Sequence, residues 1–117
     1  VLDEIAPVLS SLLLGKNAVC LNRAAAADET GELGLAIAAA GRDTVYPLIC
    51  RLMERGVSTG ALKAPSAEMA ADWFLNLLIG DLQIRRVIHA LKLPTEKDVQ
   101  QRADTAIFAF RRLCAIA

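Results

Sequence analysis

The sequence predicts an all-α chain of about five helices, the last two forming a four-helix dimer interface with a second copy. Three observations lead there. No segment alternates with period two, so no strand is expected. Twenty-one of the 117 residues are alanine, the strongest helix former. The stretch 66–92, SAEMAADWFLNLLIGDLQIRRVIHALK, is apolar on two sides. At about 100° per residue, Phe74, Leu77, Ile84 and Ile88 point one way, and Leu75, Leu78, Ile79 and Leu82 another. A helix on the outside of a monomer needs one apolar stripe. A helix with two stripes needs two covers, and in so short a chain the second cover is another copy of it.

The first helix runs from Asp3 to Leu14, with Ile5, Val8, Leu9, Leu12 and Leu13 at helical spacing. Pro7 lies early in it, so its regular part is expected to begin near there. Gly15 closes it. The second, alanine-rich, runs from Asn17, its expected cap, to Glu29 and is broken by Thr30 and Gly31. The third is long, Glu32 to Arg55, with Leu33, Ile37, Val45, Ile49, Leu52 and Met53 on its inner face. Pro47 removes an intrahelical bond and crowds the preceding turn, so a kink is expected near Asp43–Tyr46. Gly56 and Gly60 end it. Ser66 caps the fourth helix, which the sequence carries unbroken to Lys92. Pro94–Thr95 stops that helix and caps the fifth, Thr95 to Ala117, whose first turn holds Glu96 and Asp98 at the positive end of the helix dipole. On this last helix Val99, Ala103, Ala106, Ile107, Phe110, Leu113 and Cys114 form one stripe, and Phe108 projects to the opposite side.

Composition bounds the function. Thirteen basic residues balance thirteen acidic ones, so the chain alone has no electrostatic footprint for nucleic acid. The turn RGVSTGAL at 55–62 has the small-residue pattern of a helix-turn-helix, but Pro65 follows and no basic helix does. No charge-free apolar run approaches the roughly 18–20 residues of a membrane span, and no membrane contact is expected. The first residue is Val and no signal pattern leads the chain, so it reads as a piece of something longer. Cys20, Cys50 and Cys114 are odd in number and have no ligand spacing, as small buried hydrophobes in a reducing cytosol would be. One histidine, His89, stands without a sequence-evident partner. No phosphate-cradling loop, GxSxG or HExxH is present, and no catalytic role, cofactor or metal is expected. A helical enzyme would need His89 facing a cleft.

Small alanines at 24–27 and 36–40 opposite large Tyr46, Met53, Trp73 and Phe74 leave room for an apolar pocket between the second, third and fourth helices. Tyr46, Ile49 and Met53 share one face of the third helix; Trp73 and Leu77 are four apart on the fourth. Cys20 stands at matching height if the second helix runs antiparallel to the third. The expected lining is Cys20, Tyr46, Ile49, Met53, Trp73, Asn76 and Leu77, with a hydrophobic or aromatic effector oriented by the Tyr46 hydroxyl or by Asn76. The expected dimer surface holds Leu75, Ile79, Gly80, Leu82, Arg86, Phe108 and Arg112. Gly80 is read there as letting two helix backbones approach.

The order of a long kinked helix, the glycine-bounded turn Arg55–Leu62, the run Ala71–Leu75 with its Ala–x–x–Phe/Leu pattern, Gly80 followed by Arg85, and the closing Ala106–Phe110 resembles the C-terminal domain of TetR-family transcriptional regulators. The resemblance covers nearly the whole chain. It implies a single regulatory domain over residues 1–117, a homodimer, and a cytoplasmic repressor whose DNA contact lies in an N-terminal three-helix domain not contained in this sequence. It also implies a small effector that shifts the spacing of the paired readers away from successive major grooves. The other reading of the same residues is a helical dimerisation or protein-interaction module that binds no ligand.

Overall fold

The computed structural model describes residues 1–115, and they form seven helices and no strand. These are α1 (Leu2–Leu13), α2 (Lys16–Ala27), α3 (Glu32–Ala40), α4 (Arg42–Ser58), α5 (Ala67–Ile79), α6 (Leu82–Val87) and α7 (Glu96–Cys114). The end of the last helix expected at Ala117 lies outside the described residues. Two long helices of the sequence reading are each divided. The third breaks at Gly41, just upstream of the expected kink, where the backbone turns to φ −105°, ψ −84°. The fourth breaks at Gly80, with φ +50° and ψ −127°, a conformation that L side chains rarely adopt. Gly80 thus stops the helix that the sequence carries unbroken to Lys92. Its N–H still reaches the Asn76 carbonyl at 2.8 Å, closing the last turn of α5.

The ends of the helices follow their local chemistry. The Ser66 hydroxyl accepts from the Met69 N–H at 3.1 Å. Thr95 and Asp98 form a reciprocal capping box: the Thr95 N–H donates to the Asp98 carboxylate and the Asp98 N–H to the Thr95 hydroxyl, both at 3.1 Å. The Thr95 N–H, and after it the Thr95 hydroxyl, hold the Asp98 carboxyl below its ordinary range. Asn17 does not cap; Gly15 occupies that place for α2, with no side-chain bond. Pro7 and Pro47 both lie inside continuous helix, so α1 begins at Leu2 and not near Pro7. The turn at 55–62 closes by folding Leu62 over Gly56, where an added Cβ would stand 2.6 Å from the leucine Cδ1. That close fit explains the glycine without a recognition helix.

The core lies among α1, α4, α5 and α7. Met53, Phe74, Leu78, Phe110 and Cys114 are fully buried in it. Phe74 and Phe110 meet edge to face, with ring centroids 5.6 Å apart. The Ser10 hydroxyl is also fully buried and has no hydrogen-bond partner in the structure. The α2–α3 hairpin contributes little: Val19 is the one buried residue of α2, and α3 has none. The molecule is a slab of 46 × 31 × 18 Å. Its radius of gyration of 15.1 Å exceeds the about 13 Å of a compact chain of this length. By length and composition alone, Glu32–Ser58 is apolar enough to cross a membrane, but the Gly41 break, Arg42, Asp43 and Pro47 fall in the middle of it.

Candidate functional site

The densest side-chain chemistry lies on the seam between α4 and α5. The Gly41 break starts α4 afresh and sets Arg42 and Tyr46, four residues apart, on one side of its first turns. The Arg42 guanidinium stands 4.6 Å over the Tyr46 ring. The Tyr46 hydroxyl donates to Asp72 Oδ1 at 2.8 Å, with the Glu68 carbonyl 3.4 Å away. That bond to Asp72, then desolvation and the neighbouring Cys50 thiol, push the Tyr46 phenol up to about 12. A phenol held in its protonated form by a carboxylate acts as a tether. It pins the start of α4 to the outer flank of α5.

Because Tyr46 is the sole tyrosine of the chain, this tether is directly readable. The phenolate absorbance should appear with a midpoint near pH 12, and Asp72→Asn should bring it back towards the ordinary value of about 10. The raised value means that the folded chain holds this proton more tightly than the unfolded one. Its contribution to stability is therefore complete below about pH 10 and lost as the pH rises through about 12.

The seven residues expected to line a pocket do not come together around a space. Ile49 and Met53 are closed into the core at 4% and 0% exposure. Tyr46 and Asp72 occupy one flank of α5, whereas Trp73 lies about 100° round the helix, in line with Met69 and Leu77. Trp73 and Leu77 are half-buried against the core, and Asn76 is exposed, its amide donating to the Asp72 carbonyl of its own helix at 2.8 Å. Cys20 is exposed, because Val19 and Arg23 take the inner face of α2. Cys50 and Cys114 are buried as expected, and burial pushes the Cys114 thiol up.

The residues expected at a dimer surface also divide. Phe108 is 61% exposed on α7, with the Arg112 guanidinium 5.2 Å over its ring. Leu75 and Ile79 turn instead towards α4, on the same side of α5 as Asp72, and are half-buried there. Leu82 is half-buried in α6. Arg86 is turned inward, its Nε donating to the Leu14 carbonyl at 3.0 Å. His89 is exposed and is neither in a cleft nor beside a nucleophile; it takes the left-handed position after α6, at φ 64°.

Among the described residues, clefts that open on the surface include two that contain none of the expected lining. One, of about 360 Å³, lies between α1 and α7 and is lined by Asp3, Asp104, Ile107, Phe108, Arg111 and Arg112. Within it Arg111 and Asp3 form an exposed ion pair at 3.0 Å. The other, of about 140 Å³, lies beside Leu14, Leu93 and Val99. Sequence reasoning missed Arg42, Asp72, Arg23 and Gln83. The spacing of Arg42 from Tyr46 and of Glu68 from Asp72 was a signal of shared faces, but pairings across tens of residues leave no local mark.

Comparison with known proteins places this geometry. Residues 1–113 match the family described as AefR-like transcriptional repressor, C-terminal domain. The crystal structure of a TetR transcriptional regulator from Agrobacterium tumefaciens superposes with a TM-score of 0.84 at 31% sequence identity. The match covers 97% of this chain and 55% of that one, so the chain spans little more than half the length of that regulator. No curated protein matches.

Proposed function

Because the chain belongs to the TetR family of transcriptional regulators, as its C-terminal regulatory domain, we propose that it is the dimerisation and effector-binding domain of a cytoplasmic, ligand-controlled repressor. In this reading DNA is contacted by a part of the protein outside this sequence. The observation that carries it is the slab. It is only 18 Å thick, and the outward faces of α5 and α7 carry Met69, Phe108 and Leu113, each at least 40% exposed. A second copy related by a two-fold axis would cover those faces and build a four-helix bundle of paired α5 and α7 helices. Trp73, in line with Met69, belongs to that surface in our reading, together with Phe108 and Arg112.

In this reading the effector surface is the side of α4 around Tyr46, Ile49 and Met53, which in this structure is closed against α1, α5 and α7. Apolar walls with one phenol and one guanidinium suit a hydrophobic or aromatic molecule. Effector binding would favour one of two arrangements of the dimer and so reset the spacing of its readers. The closed packing of Ile49 and Met53 favours the second reading, a dimerisation module that takes no ligand. Titration with a panel of aromatic and aliphatic small molecules separates the two. A ligand at 100 times its Kd should stabilise the chain by about 2.7 kcal/mol, raising its thermal midpoint. A panel that leaves the midpoint of a well-behaved dimer unmoved would support the ligand-free module.

A further inference from the structure

We infer that the α2–α3 hairpin is a hinged flap, latched to the body of the domain by Arg23. Three observations carry this. The hairpin is stiff within itself. The Asp28 carboxylate accepts from the Leu33 N–H at 2.9 Å, from the Thr30 hydroxyl at 2.8 Å and from the Thr30 N–H at 3.2 Å. These bonds lock the turn between the two helices and hold the Asp28 carboxyl below its ordinary range.

The hairpin is rooted at glycines. Gly15 precedes α2, and an added Cβ there would stand 2.6 Å from the Ser11 carbonyl oxygen. Gly41 follows α3, and its added Cβ would stand 3.2 Å from the Ile37 carbonyl oxygen. Between those roots the hairpin fully buries one residue, Val19, and otherwise rests on the body through half-buried contacts of α2 with α6 and of α3 with α4.

To that light packing the structure adds side-chain bonds to backbone. Arg23 Nε donates to the Val87 carbonyl at 2.9 Å, and Nη2 to the Arg86 carbonyl at 3.1 Å. Both acceptors lie at the C-terminal end of α6, whose partial negative charge attracts a cation, although the Arg86 carbonyl also accepts from the His89 N–H at 3.1 Å. On its other side α6 is pinned to the end of α1. Gln83 Nε2 donates to the Leu13 carbonyl at 2.8 Å, and Arg86 Nε to the Leu14 carbonyl at 3.0 Å. So α6, freed from α5 by the Gly80 break, is the catch plate and Arg23 is the bolt. Opening the flap uncovers Val19, Leu33 and Ile37 on its inner side and the adjoining face of α4. Its service as the gate of an effector site rests on the reading above; the hinge itself does not.

Hydrogen exchange on the 117-residue chain without any ligand tests the hinge. Arg23→Gln removes a charged, two-pronged donor. Amide exchange in residues 18–27, 35–40 and 84–88 should then rise about tenfold or more, while 70–78 and 103–112 keep their rates. Arg23→Lys, which keeps the charge and loses the fork, should fall between. Unchanged exchange in the hairpin of Arg23→Gln overturns the latch, and so does a rise shared equally by hairpin and core. The dye 8-anilinonaphthalene-1-sulfonate reports the surface beneath. Severalfold greater uptake by Arg23→Gln supports the flap as a cover over an apolar lining. A freed hairpin with unchanged uptake upholds the hinge and overturns the effector reading of its floor.

Discussion

Phe74→Ala should cost about 3–5 kcal/mol of folding stability, the largest effect of any single truncation in this chain. Phe74 is fully buried at the centre of α5, where α4 and α7 both pack against that helix. Truncation removes the edge-to-face contact with Phe110 and leaves a cavity between α4, α5 and α7. A domain of this size has about 5–15 kcal/mol in all. The midpoint of urea unfolding should therefore fall steeply with its slope unchanged. A loss below about 1 kcal/mol would mean that the α5–α7 contact is not the centre of the fold.

Phe108→Glu should do the opposite, sparing the fold and abolishing association. Phe108 is 61% exposed in the single chain, so its replacement disturbs no core. In a two-fold dimer each interface holds two copies of every residue. An aromatic anchor contributes about 2 kcal/mol or more to an interface, so two lost anchors weaken the dimer about a thousandfold. Sedimentation at micromolar concentration should report a dimer for the natural sequence and a monomer for Phe108→Glu, with the same helical content. A variant that remains dimeric would move the interface away from α7.

Much of the fold was legible because it is written in local chemistry. Ser66 and Thr95 announce helix starts through hydroxyls that satisfy nearby N–H groups, and both do so in the structure. Period 3.6 marks Val99, Ala103, Ala106 and Phe110 as the buried face of the last helix, and they are buried. The helix stop at Gly80 was not legible, because a glycine in an apolar run has two meanings, close approach and helix stop, and its positive φ shows only in the structure. The pocket was less legible still. Tyr46 and Trp73 are suitable residues at suitable heights, but Asp72, one residue before Trp73, captures the Tyr46 hydroxyl and puts the tryptophan on another flank. A one-residue step turns a helix by about 100°, and nothing in either helix alone fixes which step faces the neighbour. The same limit hid Arg23 and Gln83, whose partners lie 63 to 70 residues away.

The thin slab has a consequence for the life of the protein in a cell. On the proposed dimer, in which a second copy supplies the second cover, folding and abundance would be joined by mass action, and newly made chains would be at their most fragile while still scarce. Proteases would clear unpartnered copies first, because those open most often. Loss of copies would then accelerate itself below the dissociation constant and slow above it. A dimer of this kind would have a threshold concentration below which its copies are lost quickly, so that gene dosage as well as sequence would decide how long each copy survives.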